Sequence, residues 1–536
     1  APPSPAPPSP ALSGTKFNNQ MFSTAVAAVL CLLTVTARAQ CPLQPLDPTS
    51  FNALKTSTGW SKITDALQKV DAAAAQFAKD NVGSGLAVVV TYQDTLVHQS
   101  SVGFARANIV PDYNRTIWRI ASITKVFTAL QLLQLADRDL VHLDSAITDL
   151  VPTLTSVPGI TLRSLATQMS GMVREVPLPC RGDDSDCAYT TEQMIPALNK
   201  LPVLWKPNRR PAYSNLGFSL LGRALENVSG GKKYEQHVKE EILAPLGMHN
   251  SGFDLENQDV LDHLAVGTDE HLKPTRLGWA SPNGEMYVTA ADMGRFMMFV
   301  GSRGMSAYYN ATRVLTEKMM NEWFLPRYIY PGGADGFGLP WEIVRSAHAQ
   351  QSMLFTKSGN IDQFGSELSF DPETGVGLWV VANTPGPAAT EFNAGISDTV
   401  FGAFTDAIAA AVADVPLPSS ATQFVGTYKG YARVLLANMT ITVAYQSPPS
   451  PSAAGAGSGN QQQLVASFAW ATGGGLAYLT VGPSSDVLVM QMPGNLPIPC
   501  LMVGELAWNG EHLVLGKNGG SVTIPNLMPG TIFTKQ

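Results

Sequence analysis

The sequence of 536 residues is poor in charge and lacks the patterns of several common ligand sites. Only 14% of the residues are charged, the formal net charge is −7, and lysine and arginine form no block. We exclude a nucleic-acid partner, because phosphate binding depends on clustered basic side chains. Neither Cys-x-x-Cys nor His-Glu-x-x-His occurs, so no zinc or redox site is indicated. We expect a small molecule or short peptide as ligand, and no metal or organic cofactor.

A further absence narrows the possible chemistry. The chain has no Gly-x-Ser-x-Gly elbow, and its eight histidines are scattered. In hydrolases of the Ser-His-Asp type, such an elbow can expose the nucleophile and a histidine takes its proton. That type is therefore disfavoured. Hydrophobic residues make up 45% of the chain, and at this length we expect one large domain and a smaller one.

The first 39 residues are predicted to lie outside the folded protein. Residues 1–20 open with Pro-rich repeats that favour neither helix nor sheet. Met21 then begins an apolar run that ends in Ala37-Arg38-Ala39, which is typical of a cleaved signal peptide over residues 21–39. A signal anchor is the alternative, because the run has no basic segment of its own before it. We expect a secreted protein with no stable membrane span after cleavage, of open oligomeric state.

The cysteines and the sequons are consistent with secretion. Four cysteines follow the leader, and an even number suits disulfides in an oxidising compartment. Of three possible connectivities we favour Cys180–Cys187, which are close in sequence, with Cys41–Cys500 as the remaining pair. Glycosylation is predicted at the sequon asparagines Asn114, Asn227, Asn310 and Asn438.

The hydrophobic pattern predicts an α+β domain over residues 40–415. Helices are predicted over residues 62–80, 116–136, 217–227, 234–246, 290–300 and 393–414. Strands are predicted over residues 85–92, 366–370 and 375–383, so one sheet should combine distant segments. Residues 416–536 begin with a Pro-rich linker and continue as short β-type runs, which predicts a smaller C-terminal all-β domain with a disordered insert at 447–463.

A Ser-x-x-Lys pattern occurs three times, about as often as chance allows in a chain of this size. Ser13–Lys16 precedes the predicted leader, and Ser229–Lys232 lies in a Gly-rich loop whose serine belongs to a sequon. Only Ser122–Lys125 coincides with the start of a predicted helix. There the serine oxygen would lie beside unpaired backbone N–H groups at the positive end of the helix dipole, which favours a developing anion.

Lys125 is the only charged residue between Ile120 and Ala136. A helix this apolar should be buried, and burial should lower the pKa of the Lys125 ammonium until its amine can take a proton from Ser122. A structural lysine that reaches the surface is the alternative. We favour the first interpretation, because a purely structural core helix has no need of a lysine.

Two motifs further along the chain accompany the Ser-x-x-Lys motif at Ser122. Tyr213-Ser214-Asn215 resembles the Tyr-x-Asn element of class C β-lactamases and related esterases and peptidases, and Lys357-Ser358-Gly359 resembles the Lys-Thr/Ser-Gly strand of the same superfamily. The chain is thus similar to the serine β-lactamase and penicillin-binding protein superfamily, from about Gly85 to Thr384. The resemblance implies a β-lactamase/transpeptidase-like fold, in which helices flank a central antiparallel sheet.

The resemblance also implies roles for individual residues. Ser122 would form an acyl-enzyme, with Lys125 and Tyr213 as general acid and base. Asn215 would hold the substrate amide or Lys125. Lys357 would lower the pKa of Tyr213 and attract a substrate carboxylate, to which Ser358 would hydrogen-bond. Gly359 and Asn360 complete the expected binding residues, and the N–H of Asn360 would share an oxyanion hole with that of Ser122. Where the family commonly has His-Thr-Ser-Gly, this chain has Gln168-Met169-Ser170-Gly171.

The substrate is less defined than the reaction. β-Lactams, D-Ala-D-Ala peptides and short esters all pass through the same intermediate. We favour an esterase or amidase over a dedicated antibiotic-degrading enzyme. The alternative from another class is a catalytically silent protein of the penicillin-binding fold with a binding or structural role. Three intact motifs argue against it.

Overall fold

The computed structural model describes two folded regions joined near residue 415. The described residues are 50–175, 189–267, 273–306, 308, 312–333, 335–346, 353–384, 387–414, 419–432, 437–446, 463–470, 473–481, 487–491, 512–516, 520–524 and 531–536. The predicted leader, the cysteines at 41, 180, 187 and 500, Asn310, and residues 447–462 of the predicted insert lie outside them.

The first region alternates strands and helices. Its strands are β1 (Gly85–Tyr92), β2 (Thr95–Gly103), β3 (Ile117–Arg119), β4 (Tyr287–Thr289), β5 (Met305–Ser306), β6 (Thr312–Arg313), β7 (Tyr328–Ile329), β8 (Asp335–Phe337), β9 (Glu342–Arg345), β10 (Met353–Ile361), β11 (Phe364–Asp371) and β12 (Val376–Ala382). Its helices are α1 (Phe51–Thr56), α2 (Trp60–Asp80), α3 (Thr124–Asp137), α4 (Ile147–Leu150), α5 (Leu162–Ala166), α6 (Thr191–Leu198), α7 (Asn215–Leu225), α8 (Tyr234–Val238), α9 (Gln258–His263), α10 (Ala290–Gly301), α11 (Glu317–Trp323) and α12 (Ala388–Asp414).

An antiparallel sheet in the order β2-β1-β12-β11-β10-β9-β8-β7 forms the centre of this region. The N-terminal strand β1 pairs with β12 along its length, from Leu86 opposite Ala382 to Tyr92 opposite Val376. Both strands are fully buried, because helices cover the two faces of the sheet. The prediction of one sheet built from distant segments is confirmed, and so is the fold class.

Two apolar clusters hold helices against this sheet. One joins α1, α2 and α12 to the face that carries Leu86, Val88 and Val90. The other and larger cluster lies on the opposite face, where α3 contributes Phe127, Leu130 and Leu133. Helix α3 is therefore buried all round, which explains why its sequence shows little difference between one side and the other.

The predicted helix over residues 116–136 is wrong in its first part. Residues Ile117–Arg119 form β3, which pairs with β4 in the register Ile117 to Thr289. A one-turn 3-10 helix, Ala121–Ile123, follows, and α3 begins only at Thr124. The segment 234–246 is also interrupted, because α8 continues as a π-helix over Lys239–Leu243.

The second region forms a closed barrel of short strands. In order they are β13 (Gly426–Ala432), β14 (Ala437–Gln446), β15 (Gln463–Trp470), β16 (Gly473–Val481), β17 (Val487–Gln491), β18 (His512–Leu515), β19 (Ser521–Thr523) and β20 (Phe533–Lys535). Closure comes from β13 pairing with β20, with Tyr428 opposite Lys535. Phe424, Tyr428, Ile441 and Phe533 are among the residues of its own apolar core. Gln463, the last residue of the predicted insert, lies in β15.

Candidate active site

Ser122 lies in the 3-10 turn between β3 and α3, on an unusual piece of backbone. The preceding residue, Ala121, has a φ of 45°, a left-handed conformation that is costly for a residue with a Cβ. Gly359 of β10 packs directly against this turn. A Cβ on Gly359 would lie only 2.2 Å from the carbonyl oxygen of Ile120 and 3.0 Å from the amide nitrogen of Ser122. The glycine of the Lys-Ser-Gly motif therefore allows the strand to approach the serine.

A buried ionic group lies beside the same turn. Arg119 is completely buried and its guanidinium donates to Asp362, 3.0 Å away, at the β10–β11 hairpin. The carboxylate of Glu285 is close by, and burial raises its pKa to about 7 against the opposing effects of the Leu277 N–H and of Arg119. These groups tie β3 to the hairpin that carries Gly359, and we infer that they help to hold Ala121 in its strained conformation.

Lys125 is fully buried one turn into α3 and contacts three oxygen atoms. Its Nζ lies 2.9 Å from Ser122 Oγ, 2.8 Å from Asn215 Oδ1 and 2.7 Å from the carbonyl oxygen of Asn283. Burial lowers the pKa of Lys125 below its ordinary value, and the charge of Lys357 acts in the same direction against the opposing effect of Tyr213. The expected burial of Lys125 is confirmed.

Tyr213 is the second titratable group beside the serine. Its hydroxyl donates to Ser122 Oγ over 2.8 Å, and the ammonium groups of Lys125 and Lys357 lie 4.9 and 5.2 Å from the centre of its ring. Burial alone would raise the pKa of Tyr213, but the two lysine charges, together with hydrogen bonding of the phenolate to Lys125 and Ser122, outweigh that effect and lower it to about 8.

The loop before α7 positions Tyr213, and Gln168 holds that loop. The Gln168 side-chain oxygen accepts from the Ser214 N–H at 2.7 Å, and its carbonyl accepts from the Ala212 N–H at 2.7 Å. Gln168 is buried and has a φ of 60°. The departure from the family's histidine at this position therefore leaves a side chain that supports the tyrosine.

Asn215 begins α7 and has both ends of its side-chain amide occupied. Its oxygen accepts from Lys125, and its nitrogen donates to Glu175 at 3.0 Å. Glu175 in turn pairs with Arg174 at 2.8 Å, and the Arg174 guanidinium lies 4.9 Å from the centre of the Tyr213 ring. Of the two roles expected for Asn215, holding Lys125 is the one that the geometry displays.

Lys357 reaches the site from β10 and is paired with a carboxylate. Its Nζ donates to Glu342 Oε1 at 2.5 Å, and the other carboxylate oxygen lies 3.4 Å from both the N–H and the Oγ of Ser358. The Lys357 side chain is 1% exposed and that of Glu342 is 27% exposed. Burial lowers the pKa of Lys357, but Glu342 and then Tyr213 outweigh it, so the pKa is raised and Lys357 stays charged.

Several residues of this site have no role predicted from the sequence, among them Asn283, Gln168 and Glu342. Asn283 lies at the end of a short 3-10 helix, Gly278–Asn283, and reaches Lys125 with its backbone carbonyl, a contact that any residue type could make. Gln168 stands out only as a departure from the family's histidine, and Glu342 carries no local signal, because each of them acts on a residue distant in sequence. Asn360 is exposed at the end of β10, beside Gly359.

The remaining predicted sites are exposed at the surface or lie outside the described residues. Asn114, Asn227 and Asn438 are exposed, as a glycosylation site must be. Within the described ranges, no group of three or more His, Cys, Asp or Glu side chains is arranged to hold a metal ion. No described helix is both long enough and apolar enough to cross a membrane.

Known proteins resemble the chain in sequence and in fold. The profile of the family described as Beta-lactamase matches residues 70–399. "Beta-lactamase-like protein 4" of Dictyostelium discoideum is 32% identical over 56% of this chain and 56% of its own length. The chain thus spans about half the length of that relative. "D-alanyl-D-alanine-carboxypeptidase/endopeptidase AmpH" of Escherichia coli K12 is 29% identical over 59% of this chain and 84% of its own.

A solved structure extends the similarity in fold. The octameric penicillin-binding protein homologue from Pyrococcus abyssi superimposes with a TM-score of 0.52 at 18% identity. The alignment covers 88% of this chain and all of that one. At this identity the likeness concerns the fold alone.

Proposed function

Since the chain belongs to the beta-lactamase family, we propose that it is a serine hydrolase that forms an acyl-enzyme on Ser122. One observation carries the proposal: Ser122 Oγ lies 2.9 Å from Lys125 Nζ and 2.8 Å from Tyr213 Oη. Covalent catalysis needs a nucleophile within hydrogen-bond reach of a base whose pKa is close to the working pH. Both neighbours have a pKa lowered toward that range.

In the proposed acylation step, the neutral Lys125 amine or the Tyr213 phenolate takes the proton of Ser122. The serine oxygen then attacks the carbonyl carbon of an ester or amide and forms a tetrahedral intermediate. We propose that the N–H groups of Ser122 and Asn360 bind its oxyanion. The intermediate collapses when the proton passes to the leaving group, and an ester of Ser122 remains.

In the proposed deacylation step, Tyr213 is the base. A water molecule gives its proton to the phenolate as it attacks the acyl carbon, and the proton then returns to Ser122 as the ester bond breaks. Lys125 and Lys357 stabilise the phenolate electrostatically, since both cations lie about 5 Å from the Tyr213 ring. A relative named as a carboxypeptidase and endopeptidase supports acyl transfer as the reaction class.

Labelling with a fluorophosphonate tests this proposal directly. The reagent phosphonylates an activated serine, and we expect one adduct, located at Ser122 by peptide mass mapping of the purified protein. Denatured protein should not be labelled, because the reactivity depends on the folded arrangement. An adduct on another serine, or no adduct at all, contradicts the proposal.

The pH dependence of ester hydrolysis should report the titration of Tyr213. Because its pKa is about 8 and the phenolate is the proposed base, kcat/KM should rise with pH, reach half its limit near pH 8, and become constant above it. Tyr213→Phe should lower kcat/KM by about 100-fold or more and remove this rise. If the rise persists in the phenylalanine variant, Lys125 rather than Tyr213 is the titrating base.

We also propose that the chain is exported and that its leader is removed. The apolar run after Met21 and the small residues before Gln40 support cleavage at that point. Expression in a eukaryotic secretory host should yield a secreted protein whose N-terminus, by Edman sequencing, lies at or close to Gln40. Retention in the membrane with an intact N-terminus would favour the signal-anchor interpretation instead.

A further inference from the structure

The charges around Tyr213 are compensated from within the protein. Apart from Lys125, which serves the nucleophile, two cations lie over the tyrosine ring, namely Arg174 and Lys357. Each has a carboxylate partner, since Arg174 pairs with Glu175 at 2.8 Å and Lys357 with Glu342 at 2.5 Å. A substrate anion would therefore meet no unpaired cation of this set.

Glu342 occupies the place where a substrate carboxylate would be expected to bind. One of its oxygens contacts Lys357 Nζ, and the other lies 3.4 Å from the N–H and Oγ of Ser358. These are the lysine and the hydroxyl that would otherwise hold a carboxylate. The Glu342 carboxylate comes from the neighbouring strand β9, where Glu342 lies opposite Thr356, the residue before Lys357.

The surroundings of Lys357 make its pairing with Glu342 hard to exchange. Lys357 is almost fully buried, and a second carboxylate, that of Glu367, projects from β11 opposite Ser358 and is itself buried. Burial and then the charge of Glu342 raise the pKa of Glu367 to about 7, so Glu367 is only partly ionised near neutral pH. A free substrate carboxylate near Ser358 would therefore add a further negative charge to a group of carboxyls that already resists ionisation. Like charges at such distances repel strongly in a partly buried site, so they act against an anionic ligand.

We propose that Glu342 is a specificity residue that makes the site select acyl substrates whose group facing Lys357 and Ser358 is uncharged, such as an ester or a carboxamide, over substrates with a free carboxylate. This inference rests on the proposed acyl-enzyme function of Ser122. It departs from one of the two roles that motif resemblance gives to Lys357, the binding of a substrate carboxylate. Its other expected role, stabilisation of the Tyr213 phenolate, remains, and Glu342 keeps the lysine charged and in place.

A matched pair of acylating reagents tests the proposal. A fluorescent penicillin with its free carboxylate and the methyl ester of the same compound differ in this charge and in one methyl group. For the wild type, the second-order rate constant of Ser122 acylation should be about tenfold or more higher for the methyl ester. Glu342→Gln keeps a hydrogen-bonding group of similar size without the charge, and it should reduce this ratio by about tenfold.

The ratio of the two rate constants is used because a general loss of reactivity in the variant cancels from it. Glu317→Gln is the matched control, since Glu317 is an exposed ion-pair partner of Arg303 and its replacement should leave the ratio unchanged. Equal rates for acid and ester in the wild type, or an unchanged ratio in Glu342→Gln, overturn this inference alone. Failure of the wild type to react with a neutral fluorophosphonate overturns the proposed function and this inference together.

Discussion

Replacing Ser122 by alanine should lower kcat/KM for ester hydrolysis by about 10⁴-fold or more and abolish fluorophosphonate labelling. Alanine removes the oxygen that forms the acyl-enzyme, and no water in its place would be held by both Lys125 and Tyr213 in the same way. The backbone of the turn depends on Ala121, Gly359 and the packing of β10, so the variant should fold normally. Its thermal unfolding midpoint should stay within a few degrees of the wild type.

Ser229→Ala is the matched control for this experiment. Ser229 and Lys232 have the same spacing as Ser122 and Lys125, but Ser229 Oγ donates to the carbonyl of Leu225 at 2.7 Å and Lys232 pairs with Glu241. Since the described side-chain contacts of Ser229 and Lys232 are to these other groups and not to each other, this variant should retain full labelling and activity. Retained labelling in Ser122→Ala, or equal losses in both variants, would remove the basis for Ser122 as the nucleophile.

The contrast between Ser122 and Ser229 shows which parts of the candidate site can be predicted from the sequence. The four-residue pattern does not separate them, but the apolar residues after Lys125 predict a buried helix, and the structure contains one. The order of Ser122, Tyr213 and Lys357 along the chain then identifies the family. Composition and motif together were enough to select the residues of the candidate site, because each of them lies in a segment with its own local signature.

Local sequence patterns do not predict where that helix begins. Ile117-Trp118-Arg119 is as compatible with a buried helix as with a strand, because all three side chains are buried. The choice is made by pairing with Tyr287–Thr289, about 170 residues away along the chain. Ala121 has its positive φ between that pairing and the close approach of Gly359. Alanine has no preference for this backbone conformation, so the sequence does not predict it.

Residues that act on the motifs from other segments were missed for a similar reason. Glu342 contacts Lys357 only because β9 and β10 align Glu342 with Thr356. A shift of that register by one residue would turn the carboxylate to the other face of the sheet. Gln168 likewise supports Tyr213 through the backbone of Ser214. Roles of this kind depend on register and loop contacts, which emerge only in the assembled fold.

Lys125→Met is expected to lower kcat/KM for ester hydrolysis by about 10³-fold or more while the protein stays folded. Methionine has a similar length and no charge, so it can fill the buried space beside Ser122 but cannot accept its proton or lower the pKa of Tyr213. The pH at which residual activity rises should therefore move above about 8, toward the ordinary range of a tyrosine. An unchanged pH profile would show that Lys125 has no electrostatic influence on Tyr213.

The stability of the same variant separates a catalytic lysine from a structural one. Removal of Lys125 leaves Asn215 Oδ1 and the Asn283 carbonyl without this donor, at a cost of about 1–3 kcal/mol each, but it also removes a buried ammonium. The opposing effects should leave the free energy of unfolding at neutral pH within about 2 kcal/mol of the wild type.

The pH dependence of stability reports the pKa of Lys125 itself. Because the folded-state pKa of Lys125 is below its ordinary 10.5, the unfolded wild type binds more protons in the interval between these two pKa values. The free energy of unfolding of the wild type therefore rises with pH in that interval. In urea unfolding from neutral pH to pH 10, the free energy of unfolding of the wild type should therefore increase relative to that of Lys125→Met as the pH rises. If the difference between the two free energies does not change with pH, the pKa of Lys125 is not lowered by folding.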